Sequence, residues 1–140
     1  GGVAHGPRND KNFARTVSKK MKAKALYTIL SKKLKNNEIV FVDSLSLSAP
    51  KTKEARATFE SLSKIAALKN VAKKKTNSLY IALDKKDENV ERGFKNFGNV
   101  VVDEARNINP LAAMTYKHIV FVNPKASVEA VAGKLESAAK

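Results

Sequence analysis

Three aspartates stand where chemistry is often done. Asp43, Asp84 and Asp103 each close an apolar run: Ile39-Val40-Phe41-Val42, Leu79-Tyr80-Ile81-Ala82-Leu83 and Val100-Val101-Val102. Parallel sheets bind ligands at the carboxyl ends of their strands. Carboxylates gathered there could hold Mg2+ for phosphoryl transfer. The competing reading is that each Asp caps the next helix and is solvated in a loop. Gly93 and Gly98 have the glycine spacing of a phosphate loop, but Asn99-Val100 follows where Lys-Ser/Thr is required, and the pair precedes a strand instead of following one. They read instead as a helix C-cap glycine and a turn glycine. No strand is followed by the Gly-rich turn of a dinucleotide site, and no Gly-x-Ser-x-Gly elbow occurs. Cys is absent, and His5 and His118 are the two histidines, so neither a thiolate nor a His-based metal site is expected. His118, at the head of an apolar run, is expected to be structural. The residues thus imply no cofactor and no small-molecule substrate.

The larger signal is cationic. Residues 18–35, SKKMKAKALYTILSKKLK, contain seven lysines and no acid. The chain carries 27 Lys+Arg against 13 Asp+Glu, a formal charge of +14. Residues 1–75 hold 18 basic and 5 acidic residues, whereas residues 76–140 hold 9 and 8. An excess confined to one half describes a directional surface for a polyanion, with nucleic acid first and an anionic membrane surface second. Close like charges on a helix each cost a few tenths of a kcal/mol. Phosphates reverse that cost by releasing counterions. A solvated lysine face is the bland alternative. The membrane reading is weaker, because the apolar stripe of this helix is needed for a core and Trp is absent. No apolar run approaches a spanning length of about 18 residues, and no signal-peptide pattern occurs. A cytoplasmic protein without a membrane partner is expected. No exposed aromatic set of the kind that stacks on splayed bases is evident.

Elements that must position these lysines can be read from periodicity. With 140 residues, 43% hydrophobic and 29% charged, the chain suits one globular core. Residues 1–15, GGVAHGPRNDKNFAR, show no period and read as an extended basic arm. Residues 16–140 read as a single α/β domain. Thr16 or Ser18 can cap a helix whose stripe is Ala23, Leu26, Ile29, Leu30 and Leu34, ended by Asn36-Asn37. Lys22 and Lys33 fall at the margin of that stripe. Residues 38–43 read as a strand buried on both faces. Ser48-Ala49-Pro50 opens a second helix, with Pro50 near its first turn and a stripe of Ala55, Phe59, Leu62, Ile65 and Leu68. A basic loop, Lys73-Lys74-Lys75, precedes a strand over 78–84. Asp87 caps a short helix to Phe97, and 99–103 form a third strand. Asn109-Pro110 starts a turn or two of helix, and 118–122 form a fourth strand. Asn123-Pro124 caps a last helix carrying Val128, Val131, Ala132 and Leu135. Helix, then strand–helix four times, implies a three-layer α/β sandwich around a mainly parallel sheet of about four strands.

The order of these pieces resembles the universal large-subunit ribosomal protein L-four family in its bacterial form. Gly1-Gly2-Val3-Ala4-His5-Gly6-Pro7-Arg8 runs into Lys19-Lys20-Met21-Lys22 and Ala25-Leu26, and Ile39-Val40-Phe41-Val42-Asp43 runs into Ala49-Pro50-Lys51-Thr52-Lys53. Residues 89–97, Val100-Val101-Val102 and Asn107-Ile108-Asn109-Pro110 follow the family's later order. The resemblance covers nearly the whole chain and is weakest between Ala66 and Leu79. It implies a non-enzymatic constituent of the large ribosomal subunit in the cytoplasm that binds large-subunit ribosomal RNA early in assembly and adjoins other ribosomal proteins. It also implies that the family's N-terminal segment and most of its extended basic loop would precede Gly1, leaving residues 1–15 as the returning limb. Carried over by position, RNA contacts fall on Arg8, Lys11, Asn12, Arg15, Lys19, Lys20, Lys22 and Lys24. Gly1, Gly2 and Gly6 would allow close backbone approach, His5 would stack or touch phosphate, and Lys51 and Lys53 flank a helix N-terminus. Lys32, Lys33, Lys35 and Lys73 to Lys75 are left open between RNA and solvent. The alternatives from other classes are a Mg2+-dependent enzyme using Asp43, Asp84 and Asp103, and a generic basic DNA-binding protein.

Overall fold

The computed structural model describes residues 1–139, with side chains described through residue 133. Residues 1–17 are exposed and form no regular element. Nine elements follow: α1 (Lys19–Lys35), β1 (Ile39–Val42), α2 (Thr52–Ser63), β2 (Leu79–Leu83), α3 (Glu88–Phe94), β3 (Val100–Glu104), α4 (Pro110–Thr115), β4 (His118–Val122) and α5 (Pro124–Ala139). Short 3-10 turns at Ala66–Leu68 and Ala105–Asn107 complete the order.

The strands form one parallel sheet in the order β1-β4-β2-β3. One face packs α2 and α3 through Ala55, Phe59, Leu62, Val90 and Phe94 against Leu79, Ile81, Val120 and Val122. The other packs α1, α4 and α5 through Leu26, Ala113 and Val131 against Tyr80, Ala82, Ile119 and Phe121. β1→β2→β3 advance across the sheet with their helices on one face. β3→β4 returns with α4 on the other face, so every crossover has the same hand, as strand twist requires. The three-layer α/β expectation is met.

Caps set the boundaries. Ser18 Oγ accepts from Met21 N (3.3 Å), Asp87 Oδ1 from Asn89 N (2.9 Å), and Asn109 Oδ1 from Ala112 N (2.7 Å). At the end of α1, Asn37 N donates to Leu34 O and Glu38 N to Lys33 O around Asn37 at φ 56°. That paired closure is a Schellman turn, with Asn where Gly is usual.

Several expectations are corrected. β1 is an edge strand, and its Phe41 is 48% exposed, because only β4 flanks it. Beside that edge, Leu34 is 57% exposed, against the stripe reading, and lines an open apolar groove with Tyr27, Leu30, Phe41, Phe121 and Val128. Pro50 lies ahead of α2, whose N-cap is Lys51. Ile65 is only partly buried, at 37% exposed, because α2 stops at Ser63. Gly93 is neither a cap nor in a left-handed conformation: it is buried within α3, where an added Cβ would lie 2.6 Å from Leu47 Cδ1. In α5, Val131 is buried and Val128 half-exposed. The expected burial of Leu135 falls outside the described side chains.

Candidate nucleic-acid interface

The carboxylate hypothesis is decided by topology. Asp43 follows β1 and Asp103 lies in β3, and these are the two edges of the sheet with β4 and β2 between them. Three strand spacings separate them by about 14 Å, far beyond any shared metal. Asp84 Oδ2 instead accepts from Asn123 Nδ2 (3.0 Å), and Asp103 Oδ1 from Glu104 N (2.7 Å) and Asn107 Nδ2 (2.9 Å). Among the described residues no group of three or more His, Asp or Glu is placed to hold a metal ion. The Tyr80 hydroxyl is buried beside Asp103, and burial, followed by the Asp103 charge, pushes its proton affinity up. Its place is in the core against Tyr116, with ring centroids 5.9 Å apart.

The cationic residues fare differently. Gly1, Gly2, His5, Gly6, Arg8, Lys11, Asn12, Arg15, Lys19, Lys20, Lys22, Lys24, Lys51 and Lys53 are all exposed. Nothing lies within 4 Å of a Cβ built on Gly1, Gly2 or Gly6, and none has a positive φ, so the fold itself makes no demand for glycine there. Asn12 Oδ1 accepts from Ala14 N (2.8 Å), bending the arm locally. Lys11 Nζ sits 5.1 Å above the Phe13 ring, a cation–π contact on an aromatic that is 77% exposed.

α1 presents the lysines by burying its opposite face. Leu26 is 2% exposed and packs with Ala23, Ile29 and Leu30 against the sheet and α4. Lys24, Tyr27, Thr28, Ser31, Lys32 and Lys35 then line a shallow depression along the outer face. Tyr27 is 49% exposed there. Phe13, between Lys11 and Arg15, and Tyr27, between Lys24 and Lys32, are thus exposed aromatics among basic residues, where the sequence reading found no exposed aromatic set; their signal was the basic residues flanking each one.

Lys33 leaves the interface. It is 7% exposed, and its Nζ reaches Glu38 Oε2 (3.1 Å), Tyr116 O (2.9 Å) and Lys117 O (2.6 Å). The Schellman turn brings Glu38 back to it. Beside this knot, His118 Nδ1 is buried with no hydrogen-bond partner among the described residues. Burial first, then the neighbouring charges of Lys117, Lys33 and Lys74, hold the imidazole's proton affinity below its ordinary value, against the pull of Glu38.

Lys51 and Lys53 flank the start of α2, but an acid already sits there. Glu54 Oε2 accepts from Ser48 Oγ (2.8 Å) and Ala49 N (3.2 Å). These bonds, the Ser48 hydroxyl foremost, hold its carboxyl below the usual range. The carboxylate already occupies the position an anion would take at this helix start.

Comparison with known proteins adds one consistent result. Residues 1–133 match the family model described as the ribosomal protein L4/L1 family. The chain is 32% identical over 120 residues to the large ribosomal subunit protein uL4 of Helicobacter hepaticus, covering 86% of this chain and 52% of that protein. It is 32% identical over 131 residues to the uL4 of Campylobacter lari, covering 94% and 57%. Against the uL4 of Bordetella bronchiseptica the identity is 32% over 124 residues, covering 89% and 55%. The chain thus spans about half the length of the curated relatives it matches.

Proposed function

Because this chain belongs to the ribosomal protein L4/L1 family, we propose that it is a structural, non-enzymatic constituent of the large ribosomal subunit that binds large-subunit ribosomal RNA. The observation that carries this reading is the unneutralised outer face of α1. Lys19, Lys20, Lys22 and Lys24 are exposed, and among the described residues no ion pair involves any of them. A basic arm continues from that helix. The arm, residues 1–15, is the RNA-binding segment, and the domain from residue 16 onward is the scaffold that aims it. Its partners are ribosomal RNA and the ribosomal proteins that adjoin it, in the cytoplasmic ribosome. Recognition rests on phosphate positions and RNA shape more than on base edges. The exposed glycines give room for backbone approach, and Phe13 and Tyr27 add surfaces on which a base can stack.

Binding to large-subunit ribosomal RNA fragments across a salt series tests this. The combined variant Arg15→Ala, Lys19→Ala, Lys20→Ala, Lys24→Ala is expected to flatten the salt slope by about 3–4 and to weaken fragment-selective binding by at least tenfold. Equal binding by variant and wild type would end the arm-and-helix reading. Preference for duplex DNA over structured RNA would favour the generic DNA-binding alternative.

A further inference from the structure

The arm and the first turns of α1 hold only part of the unpaired charge. At the amino ends of the strands, three segments distant in sequence meet. Lys117 N and Lys74 Nζ both donate to Asn77 O (3.2 and 3.3 Å), and Asn99 Nδ2 donates to Lys74 O (2.9 Å). Asn77, at φ 47°, turns the Lys73–Lys75 loop back onto the sheet. Lys33, bonded to Lys117 O, ties the last turn of α1 to the same place. The carboxylate facing this cluster, Glu38, is already engaged by Lys33. Lys35, Lys73, Lys74, Lys75 and Lys117 are exposed, and among the described residues none has an acidic group within 4.0 Å. At the opposite, carboxyl end acids are interspersed: Lys86 pairs with Glu91, Arg92 with Glu88 and Arg106 with Glu104, while Lys85 and Lys125 make no ion pair among the described residues. Burial first lowers the proton affinity of His118, and Lys117, Lys33 and Lys74 lower it further against the pull of Glu38.

We propose that Lys35, Lys73, Lys74, Lys75 and Lys117 form a second phosphate-backbone binding surface at the amino end of the sheet. It rests on the ribosomal RNA reading above and extends it. The nearest α1 members of the two surfaces, Lys24 and Lys35, lie about 16 Å apart along the helix axis. That exceeds the screening length of about 8 Å at physiological salt, so each surface acts as a separate charge centre. The depression along Lys24, Tyr27, Lys32 and Lys35 joins them. One RNA can therefore be gripped at two places, by the arm at one end and by the loop at the other.

The test uses the whole 140-residue chain and a large-subunit ribosomal RNA transcript over a salt series. The variant Lys35→Gln, Lys73→Gln, Lys75→Gln, Lys117→Gln removes four charges whose side chains make no described hydrogen bond, and Lys74 is kept for its bond to Asn77. Its salt slope is expected to fall by about 2–3 and its affinity by at least tenfold, with an unchanged melting temperature. A separate backbone footprint, intact in the arm-and-helix variant, is expected to disappear. Wild-type slope, affinity and footprint in this variant, alongside weakened binding in the arm-and-helix variant, would overturn the second surface and leave the first reading standing. That result would assign the lysines to solvent or to an acidic protein neighbour. A wild-type chain without RNA preference would end both.

Discussion

Lys32 and Lys33 are adjacent and chemically identical, yet they belong to different parts of the molecule. The 100° step between them turns Lys32 outward and Lys33 under the α4–β4 connection. Lys33→Ala leaves two carbonyl groups and Glu38 short of a donor, and is expected to lower stability by about 2 kcal/mol in urea unfolding. Lys32→Ala is expected to change stability by less than about 0.5 kcal/mol while weakening RNA binding. Equal stability losses would show that the Lys33 contacts contribute nothing. His118 belongs to the same knot. Its proton affinity is lowered in the folded chain, chiefly by burial and then by Lys117, from an ordinary value of 6.5. The unfolded chain therefore takes up its proton first. Stability is full above that pH, and it declines as pH falls below it until the folded imidazole protonates too. The urea midpoint is expected to drop between about pH 7.5 and pH 5.5, and His118→Gln to flatten that drop.

At the scale of elements, the contact between α2 and α3 depends on a residue with no side chain. Gly93 lets Leu47 and Ala55 approach α3, and an added Cβ would meet Leu47 Cδ1 at 2.6 Å. Gly93→Ala gains about 1 kcal/mol of helix propensity and meets overpacking of about 1–3 kcal/mol. A net loss of about 1 kcal/mol is expected. In a Leu47→Ala background the close contact is gone, and the same substitution is expected to stabilise. Thermal unfolding of the four proteins in this cycle decides it, and a loss in both backgrounds would place the strain elsewhere. The sequence could not reveal this role, because a glycine near a helix end is equally consistent with a cap.

For the whole molecule, the separation of arm from scaffold carries a prediction of its own. Residues 1–15 are all exposed and form no regular element, so deleting them is expected to leave the melting temperature within about 1 °C, given that surface changes touch stability little. The same deletion is expected to reduce RNA affinity at least tenfold. Trypsin is expected to cut first at Arg8, Lys11 and Arg15, and bound RNA to protect all three. A large fall in melting temperature would mean that the arm is part of the fold.

Patterns in the sequence were sufficient for the element order, the caps at Asp87 and Asn109, and the α/β class, because these follow from near-neighbour chemistry, whereas the first cap was left between Thr16 and Ser18 until the structure gave Ser18. The bias of charge toward residues 1–75 was likewise legible, and with it the expectation of a polyanion partner. Tertiary structure alone decided which strand lies at an edge, and so why Phe41 and Leu34 are exposed. It also separated Asp43 from Asp103 by the width of the sheet, which removed the metal-site alternative. Finally, it brought Lys33, Lys74 and Lys117 to one place across more than eighty residues. Pairings between distant segments are set by strand order and crossover hand, and neither leaves a mark in any single stretch of sequence.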